Sequence, residues 1–216
     1  MDPVAEVLAA LKDNDHARAE ALLRARPGVA NAPTSAGLPL LQMAIYARAS
    51  RVVQALLDAG AEVDVGLAAM LGDERRVRDL AARDPAAVRR PTADGFPPLA
   101  AAAHFGRLDA MRALLELGAD PAARSANVLR NTPLHAACAG GREDAVRLLL
   151  ERGAPVDAQD AGGHTPLMIA AANGLAGAVR LLLEKGADPA RRSADGRTAQ
   201  DHARARGWDE VAAMLG

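Results

Sequence analysis

The chain has 216 residues, half of them hydrophobic, with 26 Lys and Arg against 27 Asp and Glu. The resulting formal charge of −1 provides no overall excess of positive charge that would favour nucleic acid or an anionic membrane surface. A single cysteine, Cys138, excludes an intramolecular disulfide and any metal site built from several cysteines.

The first predicted element is a pair of amphipathic helices. Asp2-Pro3 is a helix-start signal, and apolar residues recur at i, i+3, i+4 and i+7 between Val4 and Leu11. A second helix is predicted from about His16 to Arg24. This pair lacks the Thr-Pro-Leu-His sequence that occurs later in the chain, which is typical of an end unit with one neighbour.

A second pair is predicted around Pro39, and the next begins unusually soon. Only 64 − 39 = 25 residues separate Pro39 from Asp64, the equivalent position in the third pair. We therefore expect the extended hairpin to be missing here and Asp64 to cap the next helix directly.

The most regular part of the chain is a repeat. Asn131–Ala137 reads Asn-Thr-Pro-Leu-His-Ala-Ala, and a near copy spans His164–Ala170, with 166 − 133 = 33 residues between the two prolines. Weaker echoes lie at Gly95–Leu99 and Gly196–Ala199. We call the position equivalent to Pro133 the anchor of each unit. Similar leucine-rich helix endings follow three of these anchors, each closed by Gly-Ala.

A period near 33 residues with a Thr-Pro-Leu-His core resembles the ankyrin repeat. The resemblance covers nearly the whole chain, which is similar to small single-domain bacterial members of that family. It implies one all-α ankyrin-repeat solenoid of about seven helix-turn-helix units, capped at both ends, with hairpin fingers projecting to one side. The expected single domain is 1–216, with units at about 1–33, 34–64, 65–91, 92–124, 125–157, 158–190 and 191–216.

Residues that could carry chemistry are sparse. The five histidines lie in separate units, without a paired metal-ligand motif, a nucleophile motif or a phosphate-binding loop. We therefore predict no catalytic, cofactor-binding or metal-binding residues. His135 is expected to hydrogen-bond backbone between neighbouring hairpins, and Cys138 to be a small buried side chain. The arginines within 75–78 and 191–197 lie beside acidic residues, which favours solvated faces over a nucleic-acid groove.

The few aromatic residues suggest a binding surface. Tyr46 and Phe105 both lie seven residues after their anchor, at the end of a first helix, while Val128 and Leu129 occupy an exposed finger. Large residues there could instead pack against neighbouring units and take no part in binding. Both interpretations, binding and packing, stay open for Tyr46 and Phe105, whereas Phe96 is expected to pack. The predicted partner-binding residues are Tyr46, Met70, Leu71, His104, Phe105, Val128 and Leu129.

The resemblance implies a non-enzymatic scaffold or adaptor that binds a protein partner through its concave surface. Two alternatives stay open: a regulatory or inhibitory subunit of one enzyme, and an enzyme with a site in the groove. The first residues lack a basic segment followed by an apolar core, and no apolar run approaches 18 residues, so we expect neither a signal peptide nor a membrane span. We therefore expect a cytoplasmic monomer whose partner is neither nucleic acid nor membrane.

Overall fold

The fold is known from a computed structural model that describes residues 2–216. Within that range the backbone forms fourteen α-helices and two short 3-10 helices, with no β-strand. The 3-10 helices are Pro27–Asn31 and Pro85–Arg89. The α-helices are α1 Pro3–Lys12, α2 His16–Ala25, α3 Leu40–Tyr46, α4 Ser50–Asp58, α5 Val65–Leu71, α6 Glu74–Arg83, α7 Pro98–Phe105, α8 Leu108–Glu116, α9 Pro133–Ala139, α10 Glu143–Glu151, α11 Pro166–Ala172, α12 Ala176–Glu184, α13 Ala199–Ala205 and α14 Asp209–Ala213.

The helices form consecutive pairs that stack into a solenoid. Each odd-numbered helix contacts the even-numbered helix that follows it, and the odd-numbered helices contact one another in series from α1 to α13. The predicted all-α solenoid is thus confirmed. No helix within residues 2–216 combines the length and the apolar character needed to cross a membrane.

Two kinds of side chain build the core. Alanines occupy the first helices, and in α7 the run Ala100–Ala103 is buried, which lets neighbouring helices approach closely. Leucines occupy the second helices, where Leu114, Leu149 and Leu182 have no exposed surface. Because burying a leucine contributes roughly 1.5–3 kcal/mol, this row of leucines stabilises the contacts between pairs.

The third pair begins without a hairpin, as the short spacing predicted. Helix α5 starts at Val65, and the Asp64 carboxylate accepts a hydrogen bond from the Leu67 N–H at 2.7 Å. This cap satisfies one of the N–H groups that have no partner at a helix start. The row of fingers therefore has a gap between α4 and α5.

Backbone hydrogen bonds join the fingers from α7 onwards to one another. Ala126 N–H donates to the Gly95 carbonyl at 2.7 Å, and Ala161 N–H donates to the Leu129 carbonyl at 2.9 Å. A third bond, from Ala194 to Gly162, repeats the arrangement at 2.9 Å. The fingers from α7 onwards are thus fixed relative to one another.

His135 connects α9 to the next hairpin, as predicted. Its Nδ1 accepts from the Thr132 N–H at 3.2 Å, so the second nitrogen, Nε2, carries the proton and donates to the His164 carbonyl at 3.0 Å. Burial lowers the pKa of His135, which keeps the ring neutral and suits this tautomer. The hydrogen bonds explain the residue without a catalytic role.

Cys138 is fully buried in the core, also as predicted, and burial raises the pKa of its thiol to about 12. Because only the thiolate reacts, we expect a thiol reagent at pH 8 to label the native protein at least about 100-fold more slowly than the urea-unfolded chain. Absorbance from Ellman's reagent measures both rates. Native labelling at the unfolded rate would show that Cys138 is accessible.

Candidate partner-binding site

An apolar cavity of about 230 Å³ opens between α3, α7, α9 and the finger that precedes α9. Alanines of α7 and α9 form part of its lining. Its large side chains are Tyr46, Phe96, His104, Phe105 and Leu129. We call it the aromatic cavity.

In the aromatic cavity, the Phe105 ring contacts two other rings. The Tyr46 and Phe105 centroids lie 5.8 Å apart at an interplanar angle of 32°, and His104 meets Phe105 edge-on at 5.1 Å. Both distances fall in the range that favours aromatic pairs. The rings of α3 and α7 therefore form one surface although they belong to different helix pairs.

Tyr46 is held in place by a contact across the gap in the finger row. Its hydroxyl hydrogen-bonds the carboxylate of Asp94, in the finger before α7, and that carboxylate also accepts from Thr92 Oγ1 at 2.6 Å. Burial and the bond to Asp94 raise the pKa of Tyr46 far above its usual range. The contact can form because no finger precedes α5, which lies between α3 and α7.

His104 contributes a neutral ring to the cavity. It is half-buried, and burial lowers its pKa; the positive charges of Arg142 and Arg48 act in the same direction. The lowered pKa favours the neutral imidazole at pH 7. The aromatic cavity therefore presents little charge of its own.

The finger before α9 has a longer tip than its neighbours. The hydrogen bond that closes a finger joins Thr92 N–H to the Phe96 carbonyl in the preceding finger, spanning 96 − 92 = 4 positions. Here the equivalent bond joins Ser125 to Asn131, spanning 131 − 125 = 6. We call residues 125–131 the long finger. Its two additional positions expose Val128 and Leu129, which are 87% and 49% exposed.

Asn127 fixes the conformation of the long finger. Its Nδ2 donates to the Asp94 carbonyl at 3.0 Å, while its Oδ1 accepts from the Leu129 N–H at 3.1 Å and from the Ser125 hydroxyl at 2.9 Å. The exposed apolar tip is thus supported by polar contacts to its own backbone and to the neighbouring finger.

A second cavity, of about 460 Å³, adjoins the first and shares Phe105 with it. Leu71, Ile45 and Val53 supply its apolar part. Its charged side chains are Arg48, Arg107 and Arg142, each at the turn after a first helix. We call it the arginine cavity.

Family models match the middle and later part of the chain. Residues 123–193 match the model for three copies of the ankyrin repeat, and residues 94–126 match the model for a single ankyrin repeat. The chain contains ankyrin repeats. A comparison with the curated proteins finds no match. The matched ankyrin repeats extend from the finger before α7 to the finger before α13, and the helix pairs on either side continue the same stack.

Four of the seven predicted residues lie together in the aromatic cavity. They are Tyr46, His104, Phe105 and Leu129. Leu71 lines the arginine cavity instead, and Val128 projects into solvent from the long finger. Within residues 2–216, no group of three or more His, Cys, Asp or Glu side chains is arranged to hold a metal ion.

Met70 does not belong to this surface, and its prediction was wrong. It has no exposed area and packs in the core with Ile45, Leu67 and Ala101. The reason is that α5 lies between α3 and α7, so this position of the ankyrin unit is covered from both sides. Only the Met70 carbonyl reaches the site, where it accepts a hydrogen bond from Arg107.

Sequence reasoning missed the three arginines and the role of Phe96. The arginines carried a signal, because each lies nine residues after the anchor of its ankyrin unit: 48 − 39, 107 − 98 and 142 − 133 all equal 9. Phe96 was expected only to pack against neighbouring units. It is half-buried and lines the aromatic cavity together with Leu129 of the long finger.

Proposed function

We propose that this chain is a non-enzymatic scaffold or adaptor that binds a protein partner through the aromatic cavity and the long finger. Ankyrin repeats are generally protein–protein interaction modules, and the family is typically non-enzymatic. The observation that carries the proposal is the pair Val128 and Leu129, exposed on a lengthened finger beside an open apolar cavity.

The energetics of the surface favour binding. An exposed apolar side chain gains about 25 cal/mol for each Å² that a partner covers, and interfaces draw most of their affinity from a few anchors of this kind. Tyr46 is already tied to Asp94, and Asn127 already orders the long finger. Less conformational entropy is then lost when a partner docks, which raises affinity.

The proposal includes the organisation of the whole chain. We place all units in one domain, 1–216, because helix pairs follow one another without interruption from α1 to α14. Its unit boundaries are those that the repeat spacing predicts. A monomer in the cytoplasm fits a chain whose one cysteine is a buried free thiol.

The test is a double variant, Phe105→Ala with Leu129→Ala. Native chain first captures the partner from its own source, and mass spectrometry identifies it. We expect the double variant to raise the dissociation constant for that purified partner at least about tenfold, or about 1.4 kcal/mol. Surface plasmon resonance measures the constants, and circular dichroism verifies that the variant is folded.

Arg147→Glu is the matched control, because Arg147 is exposed on α10 and lines neither cavity. It should bind the partner like the native chain. Normal binding by the double variant, together with loss of binding in Arg147→Glu, would move the partner site to the outer helices. Capture of one enzyme in stoichiometric amount, with inhibition of its activity, would favour the regulatory-subunit alternative over a scaffold.

A further inference from the structure

The arginine cavity contains three cations without anionic partners. Within the described residues, Arg48, Arg107 and Arg142 form no ion pair, whereas some arginines elsewhere in the stack do. Arg78, for example, contacts Glu74 at 2.9 Å and Glu116 at 2.7 Å. What distinguishes Arg48, Arg107 and Arg142 is that all three line one cavity.

The fold positions two of these arginines through the repeat itself. Arg107 donates from Nε to the Met70 carbonyl at 3.0 Å, and Arg142 donates from Nε to the His104 carbonyl at 3.4 Å. Their side chains cross Gly72 and Gly106, where a Cβ would lie 2.9 Å from the arginine Cδ. Both glycines have positive φ, of 82° and 68°, so a larger residue is disfavoured there on two grounds.

These contacts occupy Nε and leave the terminal nitrogens of both guanidinium groups without a partner within residues 2–216. The planar fork of an arginine matches the two oxygens of a carboxylate, and such charge-assisted bonds are among the stronger ones. Arg48 is exposed and makes no side-chain hydrogen bond to the described chain. The cavity therefore offers several directed donors to an anion.

One acidic residue occupies the equivalent position in the third unit, and it is directed elsewhere. Asp73 lies 73 − 64 = 9 residues after its anchor, between the units of Arg48 and Arg107. Its carboxylate caps α6 by accepting from the Arg76 N–H at 2.9 Å and pairs with the Arg76 side chain at 3.4 Å. It does not line the arginine cavity.

We propose that the arginine cavity binds carboxylate side chains of a partner segment whose neighbouring apolar side chain enters the aromatic cavity. This inference rests on the proposed function and names the chemistry of its partner. Because Phe105 lines both cavities, the apolar and acidic residues of the segment are adjacent. Charge complementarity with the three arginines favours acidic side chains in the partner. A nucleic acid would need an extended basic stripe, and the apolar lining beside the arginines disfavours it.

The experiment compares two fluorescein-labelled pools of ten-residue peptides. Both pools carry Phe or Leu at a central position; one continues with Asp and Glu, and the other has Asn and Gln at the same places. We expect the acidic pool to bind the native chain at least about fivefold more tightly, with the advantage shrinking as salt rises from 50 to 300 mM. Fluorescence anisotropy gives both affinities.

Arg48→Gln is the decisive variant, because this side chain supports no other part of the fold. It should reduce the preference for acidic peptides at least about twofold, and Arg147→Gln on the outer helix should leave it unchanged. Equal binding of the two pools, or an equal loss in both variants, overturns the inference. Tighter binding of a twelve-nucleotide oligothymidine than of the acidic pool overturns the inference in favour of a nucleic-acid ligand.

Failure of this inference is distinguishable from failure of the proposed function. Suppose that Phe105→Ala with Leu129→Ala abolishes capture of the native partner while the two peptide pools bind equally well. The proposed partner site is then supported, and the inferred preference for acidic segments is wrong. If the double variant captures the partner normally, the proposed site itself is wrong.

Discussion

Replacing Leu149 with alanine is expected to lower the free energy of unfolding by roughly 2–5 kcal/mol. Leu149 has no exposed surface and lies on α10, which packs against α8, α9 and α12. The substitution removes buried methyl groups and leaves a cavity that helices on both sides must tolerate. In a solenoid, where each unit is stabilised by its neighbours, the loss affects two interfaces together.

Leu215→Ala is the matched control for this prediction. Leu215 is half-buried and follows α14, whose pair contacts described helices on one side only. The same deletion should therefore cost clearly less, because the end of the stack can fray. Urea unfolding followed by circular dichroism gives both values, and equal destabilisation at the two positions would contradict unit-to-unit coupling.

The repeat made the fold predictable from sequence. The 33-residue spacing of Pro133 and Pro166 fixes the length of a unit, and a capping residue at Asp64 marks a helix start even where the hairpin is missing. These are local signals, and local signals determine where helices begin and end. The positions of Tyr46 and Phe105 at the ends of their helices follow from the same register.

The details of the site depend on contacts between units, which a register does not give. Met70 lies at a position of its unit where a binding residue could be expected, yet helices on both sides cover it. Phe96 lines a cavity to which the next unit contributes Leu129. Whether an arginine forms an ion pair also depends on other units. Arg78 pairs with Glu116 two helices away, whereas Arg107 forms no ion pair with an acidic residue of the described chain.

Gly140→Ala is expected to destabilise the chain by about 1–3 kcal/mol, against the usual effect of this substitution in a helical backbone. Gly140 ends α9 with φ of −79°, so alanine is conformationally permitted and would by itself stabilise by about 0.4–1 kcal/mol. A Cβ there, however, would lie 2.9 Å from the carbonyl carbon of His104 and closer still to its oxygen. Because backbone atoms of α7 cannot yield as a flexible side chain can, overpacking outweighs the entropic gain.

Gly28→Ala provides a control of opposite sign. Gly28 lies in the first 3-10 helix, and a Cβ there would meet no heavy atom within 4 Å. The same chemical change should therefore leave stability unchanged or raise it by up to about 1 kcal/mol. Urea midpoints that shift in the same direction for both variants would show that α7 and α9 are not in close contact at Gly140.

The same contact links stability to the binding site. His104 supplies the carbonyl that Gly140 approaches, accepts the Arg142 hydrogen bond through it, and contributes its ring to the aromatic cavity. An added methyl group that separates α9 from α7 would therefore disturb both cavities. We expect Gly140→Ala to bind the captured partner more weakly even at temperatures where it remains folded, whereas Gly28→Ala binds normally. Native affinity in a destabilised but folded Gly140→Ala would show that the spacing of α7 and α9 does not position the site.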